Sequence, residues 1–206
     1  MKGLLIKNFR EQHLLFLVSG ILMMGVSFLS YLISGEIKIT FLIFLLFVLI
    51  NTMEERMFFN DEKTGWQIFA MALPLSRKCM VLARYLTSFI RVVILSILCI
   101  AIPTVFRKSF QMQDLLLLLI VMGAAFIQIH IYLPLRYRFS SNLTATGLGF
   151  IYTAAILPMI FYLDPVVSGG NMDITLKTLV FEWILAALSG VISMVFSCRI
   201  FEKKEF

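Results

Sequence analysis

Apolar residues in this chain come in long, nearly uninterrupted runs. Six can be marked out, at about residues 13–34, 37–53, 83–105, 114–134, 143–163 and 178–198. Each is close to the ~20 residues that a helix needs to cross a hydrocarbon layer about 30 Å thick. Inside lipid every backbone N–H and C=O must find its partner within the segment or in a closed barrel, so runs of this length are helices. The fold expected is all-α: a polytopic membrane protein of six transmembrane helices, forming one domain over residues 1–206. The second run is short, and its helix is expected to continue out of the membrane through Glu54-Glu55-Arg56. Composition agrees, with 60 % hydrophobic residues and 20 Phe and 12 Met among 206 residues. This lies far from soluble globular usage, and little chain is left for a soluble domain.

Charge placement sets the orientation. An even number of spans puts both termini on one side. With that side inside, the inner segments hold Lys2, Lys7, Arg10, Arg56, Lys63, Arg77, Lys78, Arg84, Arg136, Arg138, Arg199, Lys203 and Lys204. The outer loops hold Lys38, Arg107, Lys108 and Lys177, which is 13 cations against 4, with Arg91 inside a span. The positive-inside rule therefore places both termini in the cytoplasm of a cell whose plasma membrane holds the chain. The net charge of +6 is accounted for by topology and gives no indication of a nucleic-acid partner. Residues 1–12 carry Leu4, Leu5 and Phe9 on one side and Lys2, Lys7, Arg10 and Glu11 on the other. That is the pattern of a short amphipathic helix lying on the inner membrane surface, or else of a basic lead-in to the first span. The apolar run that follows is longer than a signal-peptide core and lacks a small-x-small cleavage site, so an uncleaved span is expected.

Ionisable residues within spans are costly exceptions. Arg91 is expected to snorkel towards the cytoplasmic interface. Glu182, beside Trp183, either lines a polar cavity or reaches the outer interface. Pro103 and Pro158 should bend or end helices near the outer face. The turn-rich stretch 164–171 is either a small external lid or a plain loop. Gln128 and His130 fall near the inner end of the fourth span. With two His, and three Cys that include the apolar Cys99, neither metal-ligand spacing nor a disulfide framework is visible. Phosphate loops, dinucleotide fingerprints, H-E-x-x-H, G-x-S-x-G and paired intramembrane carboxylates are all missing. The Asn142-Leu143-Thr144 sequon falls on the inner side. The chain reads as no enzyme, with no cofactor of its own; work against a gradient would draw on a partner.

The longest polar interval, 60–78 within the expected cytoplasmic loop 54–82, interrupts this apolar pattern. Asn60 is a good N-cap, with Asp61 and Glu62 placed where a first helical turn favours anions. Trp66, Phe69, Ala70 and Leu73 share one helix face before Pro74 stops it, and Ser76 can cap the next helix. The expectation is a short helix held between two spans.

These residues resemble a family. Asp61-Glu62-Lys63-Thr64-Gly65-Trp66, then Ala72-Leu73-Pro74-Leu75-Ser76-Arg77-Lys78, then Val81 and Ala83-Arg84-Tyr85-Leu86, are similar to the first cytoplasmic loop of small ABC-2 type transporter permeases of Gram-positive bacteria. The pattern there is two acids, any residue, Ser or Thr, Gly-Trp, then Leu-Pro and an Arg, then a basic residue and Tyr. The opening Met1–Phe9 and the segment Leu133–Phe139 resemble the same family, though Ser140-Ser141-Asn142 stand where it continues with Gly and basic residues. Within that family the chain resembles the six-span exporters of phenol-soluble modulins or bacteriocins.

The resemblance implies a coupling helix that enters a groove on a cytoplasmic ATPase. Asp61, Glu62, Gly65, Trp66, Phe69 and Arg77 would contact the partner, and Arg136 and Arg138 would make a second, smaller contact. Trp66 and Phe69 would be buried anchors, Asp61 and Glu62 would meet basic groups, and Gly65 would allow close approach. ATP and Mg would sit in the ATPase dimer, and a second permease copy or relative would complete the path. The alternative for Trp66 is an anchor in the inner leaflet. The implied function is export of a hydrophobic or amphipathic substrate, a peptide by preference. The alternative is an immunity or sensor protein that binds antimicrobial peptide without transporting it.

Overall fold

The computed structural model describes residues 2–34, 39–72, 76–105, 112–139 and 172–203. All of the described secondary structure is helical: α1 (Lys2–Ser34), α2 (Ile39–Lys63), α3 (Trp66–Met71), α4 (Arg77–Val105), α5 (Met112–Arg138) and α6 (Met172–Lys203). Residues 2–33, 77–104, 114–138 and 176–203 are each long and apolar enough to cross a membrane. The expected fifth span at 143–163, with Pro158 and the 164–171 stretch, lies outside the described residues.

α1 is one unbroken helix of 33 residues, about 50 Å at 1.5 Å per residue. Residues 2–12 are its first three turns and not a separate surface helix. Nothing in the sequence breaks the helix between Gln12 and His13, and Lys7, Asn8 and Gln12 of these turns find partners inside the bundle. Leu4, Asn8, Gln12, Ser19, Met23 and Ser27 are buried, whereas Leu14, Leu17, Ile21 and Phe28 are exposed. The helix is apolar towards its surroundings and partly polar inside, as a lipid solvent permits.

α2 is not among the helices apolar enough to span. Its apolar part ends at Met53, and the helix continues, as expected, past Glu54-Glu55-Arg56 to Lys63. It lies at the centre of the bundle, with Leu42, Ile43, Leu46, Phe47, Ile50, Met53, Met57 and Phe58 all buried, so little of it needs to face lipid. Ser76 caps α4 as expected: the Cys79 N–H donates to its Oγ at 3.3 Å and to its carbonyl at 2.9 Å. Pro103 lies two residues from the end of α4, and α5 runs through Pro134 to Arg138.

α5 and α6 share the most extensive contact. Gly190 makes that contact possible, since a Cβ there would sit 2.8 Å from His130 Cε1. His130 Nδ1 lies 3.1 Å from Ser189 Oγ, and the Tyr85 hydroxyl ties α4 to α6 through Ser193 (2.5 Å) and Ser197 (2.8 Å). Asn51 and Gln128 exchange side-chain amide hydrogen bonds between α2 and α5. The start of α1, the end of α2, α3, the start of α4 and the ends of α5 and α6 meet at one polar end of the bundle.

Candidate functional site

The site is built on two helices whose charges are in register. On α2, Glu54, Met57, Phe58 and Asp61 follow i, i+3, i+4, i+7 spacing and share one face. On α4, Arg84, Thr87, Ser88 and Arg91 do the same. Both helices turn these faces inward, and all eight residues are buried. Because the helices run antiparallel, acids seven residues apart meet arginines seven residues apart: Asp61 pairs with Arg84, and Glu54 with Arg91. The Glu54 Oε1 to Arg91 Nη1 distance is 2.6 Å, but the geometry is that of a charge contact and not an aligned hydrogen bond.

α1 runs alongside α4 and closes each rung. Asn8 Nδ2 donates to Thr87 Oγ1 at 3.0 Å, and Arg91 Nε donates to Gln12 Oε1 at 3.1 Å. Arg91 is 0 % exposed. It does not snorkel, because a buried carboxylate and an amide already receive its guanidinium, and that compensation is what a desolvated charge requires.

At the polar end the α2 helix passes Asn60 without a break. Asn60 is no N-cap, and Asp61 and Glu62 belong to the last turn of α2 instead of the first turn of α3. The capping signal is overridden because the buried stripe of α2 continues through Met57, Phe58 and Asp61. Gly65 then takes a left-handed conformation (φ 61°, ψ 22°), and its N–H donates to the Glu62 carbonyl at 3.2 Å. Nothing lies within 4 Å of where its Cβ would be. A glycine is needed here for the helix-ending turn, not to admit a close neighbour from this chain.

α3 follows for six residues. Ala70 faces in, buried, while Ile68 (64 %) and Phe69 (58 %) are exposed. Leu73 and Pro74, expected to complete and stop this helix, lie outside the described residues. The Trp66 ring is 5.6 Å from that of Phe69, and the Lys7 ammonium sits 4.4 Å above the Trp66 ring. The same ammonium contacts Asp61 Oδ1 at 2.5 Å and Glu11 Oε2 at 3.1 Å.

A second cluster lies beside it. Glu62 meets Arg136 Nη2 at 3.2 Å. Arg136 is buried, and its guanidinium and that of Arg84 lie 5.4 and 4.4 Å from the Phe58 ring centroid. Two cations thus share one aromatic ring, each neutralised by its own acid. Arg138 is exposed over Phe139. Arg77 donates to the Phe201 and Glu202 carbonyls at 3.2 and 2.5 Å, occupying acceptors that the end of α6 leaves open.

The model for ABC-2 family transporter proteins matches residues 3–202, nearly the whole chain. This chain belongs to the ABC-2 transporter family. No curated protein and no solved structure matches it. Membership makes it the membrane permease component of an ABC transporter, a part that is not itself catalytic, and implies an ATPase partner and a place in the membrane.

Within this ABC-2 permease the eight residues expected to meet the partner divide into two groups. Phe69, Arg138 and part of Trp66 offer surface, and Glu62, although paired, is exposed as well. Asp61 is 2 % exposed and committed to Lys7 and Arg84, Arg136 is buried on Phe58, Glu62 is paired to Arg136, Arg77 holds the end of α6, and Gly65 forms a turn. The sequence reading missed Lys7, Arg84, Glu54, Gln12 and Phe58 as members of the cluster. For Glu54 and Arg84 the signal was the matched seven-residue spacing of acids on one helix and arginines on the next. Glu182 lies against α5, where a Cβ on Gly123 would meet its Cδ at 3.0 Å, and its Oε2 is buried without a hydrogen-bond partner.

Proposed function

We propose that this permease is the membrane half of an exporter in which a separate ATPase presses on α3 from the cytoplasm. The observation that carries the reading is the exposed apolar pair Ile68 and Phe69 on a short helix at the cation-rich end of the bundle. Exposed apolar side chains flanked by charge mark an interaction surface. A helix of six residues has no stability of its own and depends on what it packs against. The excess of Lys and Arg at this end supports a cytoplasmic side for it, where ATP is available. Phe69 and the outer edge of Trp66 are the anchors, and Arg138 makes a peripheral second contact.

Two permease chains and an ATPase dimer form the working unit, in the plasma membrane of a bacterium of the Gram-positive kind. The cargo class is a hydrophobic or amphipathic peptide, moved outwards. A groove of about 350 Å³ between α4, α5 and α6, lined by Phe89, Phe126, Ile129, Val191 and Met194 with Tyr85 and His130 among them, has the apolar character such a cargo needs. The deciding experiment is co-purification with the ATPase in mild detergent. Ile68→Ala with Phe69→Ala should weaken association by about tenfold or more, as loss of anchor residues does at interfaces. Undiminished association together with normal ATP-dependent efflux overturns the assignment.

A further inference from the structure

The geometry points to Lys7 and Arg84 as positioning residues of the coupling step: acting through Asp61, they clasp the α2–α3 turn so that force received on α3 moves α1 and α4 with it. The inference rests on the docking role proposed for α3.

Taken alone, α3 is a poor lever. It has six residues and is joined to α2 through Gly65, whose left-handed backbone has no side chain to brace it. A push on Phe69 would bend the chain at that glycine and go no further. The clasp removes this freedom. Lys7, from the second turn of α1, sits over the Trp66 ring and contacts Asp61, so α1 is held to both sides of the glycine. Arg84, from the second turn of α4, takes the other Asp61 oxygen. A cavity of only about 40 Å³ beside Asp61 is lined from all six described helices, by Leu4, Asp61, Trp66, Arg84, Tyr137 and Phe201. One carboxylate is therefore the point where the docking helix meets the rest of the bundle.

The second rung makes this a unit and not a single contact. Glu54, Arg91 and Gln12 repeat the three-helix junction seven residues away on α2 and α4 and five on α1, about 10 and 8 Å along the helix axes. Two charged junctions at that separation oppose sliding and tilting of α1, α2 and α4 against one another. Displacing one helix by a turn would leave buried charges unpaired.

The test uses the full complex in lipid nanodiscs, with the ATPase that co-purifies with the permease. Spin labels are placed at Ala72→Cys at the end of α3, clear of the docking pair Ile68 and Phe69, and at Ile97→Cys on α4, both exposed, after replacement of the three native cysteines. About 20 Å of helix rise separates Arg84 from Ile97, which suits dipolar distance measurement. With Asp61 intact, the α3–α4 distance distribution should be narrow and the same with and without trapped nucleotide. Asp61→Asn should broaden it about twofold as the α3 turn samples further states, while the ATPase stays bound and hydrolyses ATP without moving α4. Lys7→Gln, a milder change, should broaden it less, and Asp61→Glu should restore the narrow distribution.

A purely structural role for Asp61 would lower stability without separating hydrolysis from motion. The proposal is overturned if Asp61→Asn leaves the width unchanged, or if the intact protein already shows α3 moving relative to α4 on nucleotide trapping. The permease measured alone shows whether the clasp exists even if no ATPase binds, and absence of binding by the intact chain would refute the docking role separately.

Discussion

Replacing Arg91 with Met removes one charge from a site where the other cannot leave. Glu54 is buried, its carboxylate 2.6 Å from a guanidinium that also donates to Gln12 Oε1 and to Met57 Sδ. With Arg91 gone it would be a buried carboxylate that has lost its cation. Breaking a buried pair by deleting one partner costs roughly 3–5 kcal/mol, whereas replacing both members is often close to neutral. The expectation is therefore a loss of about 3–5 kcal/mol for Arg91→Met and a much smaller loss for Arg91→Met combined with Glu54→Gln. The two changes should then interact by at least about 2 kcal/mol in a double-mutant cycle. Reversible unfolding by SDS titration in mixed micelles measures each corner of the cycle. Equal destabilisation of the single and double variants, with an interaction below about 0.5 kcal/mol, would refute the idea that this ion pair holds the α2–α4 register.

Gly65→Ala should destabilise the α2–α3 turn by about 1–2 kcal/mol through backbone conformation alone, since no side chain occupies the space. Gly65→Asn should recover most of that, and ATPase co-purification should follow the same order. Gly190→Ala should cost about 1–3 kcal/mol by overpacking the α5–α6 contact, because its Cβ would fall 2.8 Å from His130 Cε1. Pairing it with His130→Ala should relieve the clash in the same unfolding assay. Ser76→Ala should remove about 1 kcal/mol of capping at the start of α4, read as earlier hydrogen exchange at Cys79 and Met80.

The long apolar runs made the helical class readable, because a bilayer leaves the backbone few other choices. The Ser76 cap and the short helix around Trp66 were legible for a similar reason: each is decided within a few residues. Two expectations failed where a distant partner outweighed a local signal. Asn60 looked like a cap, but the buried stripe of α2 carried the helix past it. Arg91 looked close enough to the interface to snorkel, yet Glu54 and Gln12 received it inside. The pairing of Asp61 and Glu62 to cations from α1, α4 and α5 was equally hidden, because those partners are distant in the chain. The seven-residue spacing of Glu54 and Asp61, matched by Arg84 and Arg91, was present in the sequence. It becomes informative only once α2 and α4 are known to be antiparallel neighbours.

The inward polar stripe of α1 has a consequence for how the protein is made. Asn8 bonds to Thr87 and Gln12 to Arg91, in each case 79 residues further along the chain. At a synthesis rate of ~5–20 residues per second, the first helix waits roughly 4–16 seconds for those partners. Glu54 waits as well, uncompensated until Arg91 is translated. The growing chain therefore carries unpartnered amides and an uncompensated acid until α4 arrives, and a chain truncated before that point keeps both.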